Sequence, residues 1–341
     1  MGGVFVQIKT FFDFCSGIGG GRLGLENCGL ECVGSSDTSR LANTTYDLLF
    51  PNKKDINYGD LKKINPKSLP NYDLLIAGFP CQSFSVIGRQ QGTKDPRGQI
   101  IYYLMNIIEE NRPKVFILEN VKGLISHDNG KTFKEITKAL SDIGYDVFYK
   151  VLNSIDYGVP HMRQRIFIVG FRGDLHVQKN DFKWPLTKPR VNIADFLFPE
   201  NNEMPIEEKR WFYYDYLNNA KNKGKFDIHE ILKQDNLIVD TRMSDLRLYV
   251  NRMPTLRAHR DGIYYVRNKK MYYLTGAEAL LFQGFNKNHL ARVKDKVTNR
   301  HLLMQAGNAM TANVVEEIGK SILTTLGGVN GLLENFRARL Y

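Results

Sequence analysis

A thiol at the mouth of a strand can act as a nucleophile, and Cys81 is so placed: Gly78-Phe79-Pro80-Cys81-Gln82-Ser83-Phe84-Ser85 follows the apolar run Asp73–Gly78. The other three cysteines, Cys15, Cys28 and Cys32, read as small buried hydrophobes. Reactivity requires thiolate character, which cations or a helix N-terminus favour. Glu119-Asn120-Val121 closes a second apolar run, Val115–Leu118. A carboxyl group there is partly desolvated and suited to hold or deliver a proton; a capping glutamate is the equal alternative. Arg163 and Arg165 lie on one side of an extended segment. Guanidinium forks match phosphates and carbonyl oxygens, while an exposed charged strand edge is the simpler reading. The loop Asp13-Phe14-Cys15-Ser16-Gly17-Ile18-Gly19-Gly20-Gly21 offers backbone N–H groups to a ligand, or forms a tight structural turn. Asp37, ending the next run, suits a ribose diol or a turn, and so does Asp60 after Gly59.

These residues need a scaffold that brings strand ends together. Six strand-like runs occur at Phe5–Phe14, Glu31–Asp37, Asp73–Gly78, Lys114–Glu119, Asp146–Leu152 and Ile166–Phe171. Helical patterns at Arg22–Cys28, Ser39–Leu49, Gly98–Glu110 and Thr132–Ile143 separate them. That alternation predicts a wound α/β sheet with ligand chemistry at its carboxyl ends. With Asp73–Gly78 as the fourth strand, beside the first, Cys81 would face whatever the glycine loop binds. Residues 1–171 are therefore expected to form one domain and 172–250 a smaller lobe without defensible alternation. Residues 251–341 then return to the first domain through helices at Gly276–Phe285, Arg300–Ala306 and Thr311–Leu323.

Composition narrows the partners. Of 341 residues 43% are hydrophobic, so disorder is excluded, and 47 Lys+Arg against 36 Asp+Glu leave a net charge of +11. A polyanion is the natural counterpart of that excess. No apolar run spans a membrane, and the opening residues lack the basic flank and cleavage site of a signal peptide. Cysteine spacing matches no metal cluster and predicts reduced thiols in a cytoplasmic protein.

In order and type these motifs resemble the DNA (cytosine-5) methyltransferase family over nearly the whole chain outside 172–250. Asp13–Gly20 resembles its cofactor loop, Gly78–Ser85 its Pro-Cys motif, Glu119–Val121 its ENV motif, and Arg163 with Arg165 its paired arginines. Arg97-Gly98, Arg252–Leu256 and Gln305-Ala306-Gly307-Asn308-Ala309 match further family segments. The resemblance implies a Rossmann-like S-adenosylmethionine-dependent methyltransferase sheet with a target-recognition domain at 172–250. It implies S-adenosyl-L-methionine as cofactor, S-adenosyl-L-homocysteine as product, and no metal. It implies cofactor contacts from Asp13, Cys15, Ser16, Gly17, Ile18, Gly19, Gly20, Asp37, Asp60, Leu61, Pro80, Asn308 and Ala309. By the same resemblance Ser85, Arg89, Arg97 and Arg257 meet DNA. The chain departs from the pattern where Cys15 and Thr38 replace the family's usual aromatics, implying weaker cofactor binding or an aromatic from elsewhere, and where His161 replaces the usual glutamine.

The implied reaction is covalent catalysis on a flipped-out cytosine of double-stranded DNA. Cys81 adds to carbon-6, Glu119 holds the proton at ring nitrogen-3, Arg165 meets the 2-carbonyl, and carbon-5 takes the methyl group. The loop Gln82–Gln99, with Arg89, Lys94 and Arg97 among glycines, fits a closing lid or a plain exposed loop. A monomer is expected, with a cognate restriction endonuclease as a companion. The rival readings are a tRNA cytosine-5 methyltransferase and a silent DNA-binding relative.

Overall fold

The computed structural model describes residues 6–80, 100–200, 202–242, 245–258 and 262–337, with side chains as far as residue 327. The chain divides into two compact units. The first comprises Met1–Asn153, Gln164–Thr187 and Ala309–Tyr341, and the second Ser154–Arg163 with Lys188–Asn308.

Six strands build the first unit: β1 (Thr10–Phe14), β2 (Glu31–Ser36), β3 (Leu74–Gly78), β4 (Val115–Val121), β5 (Tyr145–Asn153) and β6 (Gln164–Arg172). Their order is β2-β1-β3-β4-β6-β5. The first four are parallel, while β6 runs antiparallel to both β4 and β5. Central strands covered on both faces read as unbroken apolar runs. Leu74–Ala77 and Val115–Leu118 are accordingly fully buried. The strand leading to Cys81 is the third, not the expected fourth, yet it does lie beside β1. β1 begins at Thr10 rather than Phe5, where the Asp73 carboxylate accepts from the Lys9 and Thr10 amides and from Lys114 Nζ.

Helices α1 (Gly20–Asn27), α2 (Arg40–Leu49), α3 (Ile100–Asn111) and α4 (Lys131–Asp142) fall where the periodicity predicts them. Helix α2 buries Ala42, Thr45, Tyr46 and Leu49, a single helical face, and Ser39 caps it by accepting from the Ala42 amide.

The second unit holds a four-stranded antiparallel sheet ordered β10-β9-β7-β8: β7 (Leu237–Thr241), β8 (Leu246–Val250), β9 (Ile263–Arg267) and β10 (Lys270–Tyr273). Leu237, Val239, Leu246, Tyr264, Val266 and Met271 pack with Phe212 and Tyr216 in its core. Around it run α5 (Ile206–Arg210), α6 (Ile228–Lys233), α7 (Gly276–Leu281), α8 (Lys287–Val293) and α9 (Asn299–Asn308).

This division corrects the expected boundaries. A lobe ending at Val250 would leave β7 and β8 without β9 and β10. The β9–β10 hairpin turns on Asn268 and Lys269, both at positive φ, a turn with no glycine to announce it. Residues 172–187 belong to the first unit, and of the C-terminal helices only α10 (Ala312–Arg337) returns to it. Among the described residues no helix is long and apolar enough to cross a membrane.

Candidate active site

In the first unit the carboxyl ends of β1, β2, β3 and β4 converge, and the order β2-β1-β3 places the switch of chain direction at β1. A crevice at such a point is where open α/β sheets bind ligands.

At the head of β1 the backbone reverses through Cys15 (φ 50°) and Gly17 (φ 56°) into α1. The Asp37 carboxylate locks that turn, accepting from the Gly17 amide at 2.8 Å and the Ser39 amide at 2.7 Å. Its turn role is thus realised, and a carboxylate retains further acceptor capacity for a ribose hydroxyl. Asp60 caps the short 3-10 turn Leu61–Lys63 through the Lys62 amide, with Leu61 buried beneath.

In this loop the buried Ser16 hydroxyl has no partner among the described residues, and the buried Asp13 carboxylate faces the Arg22 backbone amide. Burial pushes Asp13 well above the usual carboxylate range, against the opposing charge of Arg22. Burial, joined by the charges of Asp37 and Asp13, also raises the Cys15 thiol, so Cys15 is no nucleophile. Two aromatic rings stand against the glycine loop, Tyr46 and Phe50. Both rings are buried beside Gly19 and under the Arg22 guanidinium, which lies 5.4 and 4.7 Å from their centroids. They buttress the loop.

Met310, which sequence reasoning missed, closes the floor. A β-carbon at position 20 would fall 2.2 Å from the Met310 carbonyl oxygen, and the Met310 methyl lies against Gly21 and Gly78. Ala309 beside it is buried, while Asn308, the last residue of α9, is exposed. Gly20→Ala is therefore expected to destabilise the chain by roughly 3 kcal/mol, because a backbone carbonyl cannot rotate aside as a side chain can. Urea unfolding measures this, and a loss below about 1 kcal/mol would show the approach to be slack.

At the neighbouring strand ends the chemistry-bearing groups assemble. Register places Glu119 opposite Phe167 and Val121 opposite Arg165 across the antiparallel β4–β6 pair, so Glu119 and Arg165 share a face diagonally. The Arg165 guanidinium Nε lies 3.0 Å from Glu119 Oε1, with the two side chains 15% and 10% exposed. Asn120, next on β4, donates from Nδ2 to the Phe79 carbonyl at 2.9 Å. That bond ties β4 to the backbone that leads through the exposed Pro80 to position 81. Cys81, Ser85, Arg89 and Arg97 lie outside the described residues, as does the whole of the expected lid Gln82–Gln99.

Arg163 goes elsewhere. It is buried in the second unit, where its Nη1 donates to the Leu256 and Gly307 carbonyls at 3.2 Å each. This guanidinium holds backbone carbonyls in its own unit. Arg257, on the same stretch as Leu256, is exposed.

The architecture of the first unit is a wound, parallel-rich α/β sheet. Spodoptera frugiperda DNMT2 shares it with a TM-score of 0.67 at 16% identity, covering 92% of this chain and 99% of that one. The chain belongs to the C-5 cytosine-specific DNA methylase family, whose profile matches residues 9–324. It is similar to the Type II methyltransferase M.NgoBI of Neisseria gonorrhoeae, with 33% identity over 319 residues, 90% of this chain and 91% of that protein. It is also similar to M.HhaI of Haemophilus parahaemolyticus, 40% identical over 191 residues. That match spans 56% of this chain and only 57% of M.HhaI, little more than half its length.

The family implies S-adenosylmethionine, and the loop fits it. The unpartnered Ser16 hydroxyl, the buried Asp13 carboxylate, the Asp37 carboxylate and the open space over Gly17, where a β-carbon would meet nothing within 4 Å, form a polar cradle.

Proposed function

We propose that this chain transfers a methyl group from S-adenosylmethionine to carbon-5 of a flipped-out cytosine within a specific sequence of double-stranded DNA. The observation that carries the reading is the Glu119–Arg165 pair, nearly buried beside the tethered exit of β3. Asp13, Ser16, Gly17 and Asp37 would hold the cofactor, which supplies an electrophilic methyl group when bound.

The chain's own residues do the rest. Cys81 thiolate adds to carbon-6 of the cytosine while Glu119 holds the proton at nitrogen-3 and accepts from the exocyclic amine. Arg165 orients Glu119 and donates to the 2-carbonyl. The electron pair pushed from sulfur makes carbon-5 nucleophilic; after methylation a base removes the carbon-5 proton and the carbon–sulfur bond breaks, freeing Cys81. Asn120 keeps the Phe79 carbonyl, two residues before the nucleophile, in register with Glu119. The second unit reads the target, and the expected surroundings are the cytoplasm and a cognate restriction endonuclease. The naming of M.NgoBI and M.HhaI as Type II methyltransferases supports that context.

The test incubates the full chain with labelled S-adenosylmethionine and either duplex DNA of mixed sequence or tRNA. Label is expected in DNA as 5-methylcytosine. Label in tRNA alone would replace the DNA reading by an RNA one, and label in neither would leave a silent binder.

A further inference from the structure

His161 stands where the resemblance leads one to expect glutamine, and it is fully buried in the second unit. Its Nδ1 lies 3.1 Å from the Phe282 carbonyl oxygen, and its Nε2 lies 3.1 Å from the Leu256 amide nitrogen. A carbonyl can only accept and an amide N–H can only donate. The ring therefore carries its proton on Nδ1 and a lone pair on Nε2, which is one neutral tautomer.

Two residues on, Arg163 donates to the carbonyl of the same Leu256 and to that of Gly307. Alternate residues of one extended segment thus hold both backbone polar groups of Leu256. The pairing continues on either side: the Met253 amide donates to the Pro160 carbonyl, the Met162 amide to the Met253 carbonyl, and Thr255 Oγ1 to the Met162 carbonyl. Beyond Leu256 the backbone of Arg257 and Ala258 lies so close to Gly307 that a β-carbon there would meet it at 2.2–2.3 Å. The exposed Arg257 side chain therefore springs from backbone held on both sides.

We infer that His161 is a positioning residue for DNA binding: as the Nδ1-protonated neutral imidazole it supplies the donor and acceptor of a glutamine amide, fixing the backbone from which Arg257 projects. The inference rests on the proposed function only in making Arg257 a DNA contact. Unlike an amide, this clamp is lost in acid, because an imidazolium has no lone pair for the Leu256 N–H. Among the described residues the neighbouring charged groups are cationic or already committed. Arg163 lies on the same segment, and Arg252 and Arg257 are exposed on the facing stretch. Glu278 of α7 is committed to the Phe198 and Thr275 amides and the Tyr265 hydroxyl.

The test compares the full-length wild type with H161Q and H161L. At pH 7.5 H161Q is expected to keep KM for duplex DNA and kcat within about twofold, whereas H161L raises KM for DNA about tenfold or more with a smaller change in kcat. As the solution is made more acidic, the wild type's KM for DNA is expected to rise and its Tm to fall relative to H161Q. Parallel acid limbs of wild type and H161Q, or an H161Q as impaired as H161L, would overturn the inference. Should H161L fail to fold, the comparison of wild type with H161Q decides alone. Should the wild type methylate no DNA, the proposed function falls, while the pH dependence of Tm in the two proteins still judges the clamp.

Discussion

Cys81→Ser is expected to lower methyl transfer by at least ~10⁴-fold in kcat while leaving DNA and cofactor binding near the wild-type level. A thiol ionises far more readily than a serine hydroxyl, which does not ionise at neutral pH without a dedicated base. The backbone leading toward position 81 is held as far as Phe79. Phe79 is buried, its carbonyl is held by Asn120, and β3 lies between β1 and β4. The substitution therefore changes one atom's chemistry on an unchanged support. Duplex DNA carrying 5-fluorocytosine at the target makes the check sharper, since fluorine at carbon-5 blocks the proton loss that precedes elimination. The wild type should accumulate a denaturant-resistant adduct and Cys81→Ser none. Retained turnover in Cys81→Ser would remove the thiol from the mechanism.

Glu119→Gln is expected to lower kcat by about 10²–10⁴-fold, the usual share of a positioned general acid. The amide keeps an acceptor for the Arg165 guanidinium 3.0 Å away, so the cost in stability should stay near 1–2 kcal/mol. It cannot hold a transferable proton at nitrogen-3. Single-turnover methyl transfer beside urea unfolding separates the two effects. A loss of rate matched by an equal loss of stability would make Glu119 a framework residue.

How far the sequence reached differs from residue to residue. The strand–helix alternation was legible because burial on both faces demands unbroken apolar runs, and Leu74–Ala77 and Val115–Leu118 are such runs. The glycine loop and the ends of β3 and β4 were legible for the same local reason. Asp37 was read as a ribose acid or a turn acid, and the Gly17 and Ser39 amides show the turn role in place. The lobe was undercounted because its sheet closes with strands after Val250, through a hairpin lacking the usual glycine.

Arg163 and Arg165 mark the boundary most clearly. The sequence by itself determined that two arginines alternate on one extended segment, along with a thiol and a carboxyl at strand ends. Only the tertiary structure decided that Arg165 meets Glu119 while Arg163 is buried on the carbonyls of Leu256 and Gly307. Local pattern sets which face a side chain leaves from, because strand periodicity is a property of adjacent residues. The partner it meets comes from a segment remote in the chain. For Arg165 that partner is set by the β4–β6 register, for His161 by Leu256 and Phe282, and for Gly20 by Met310.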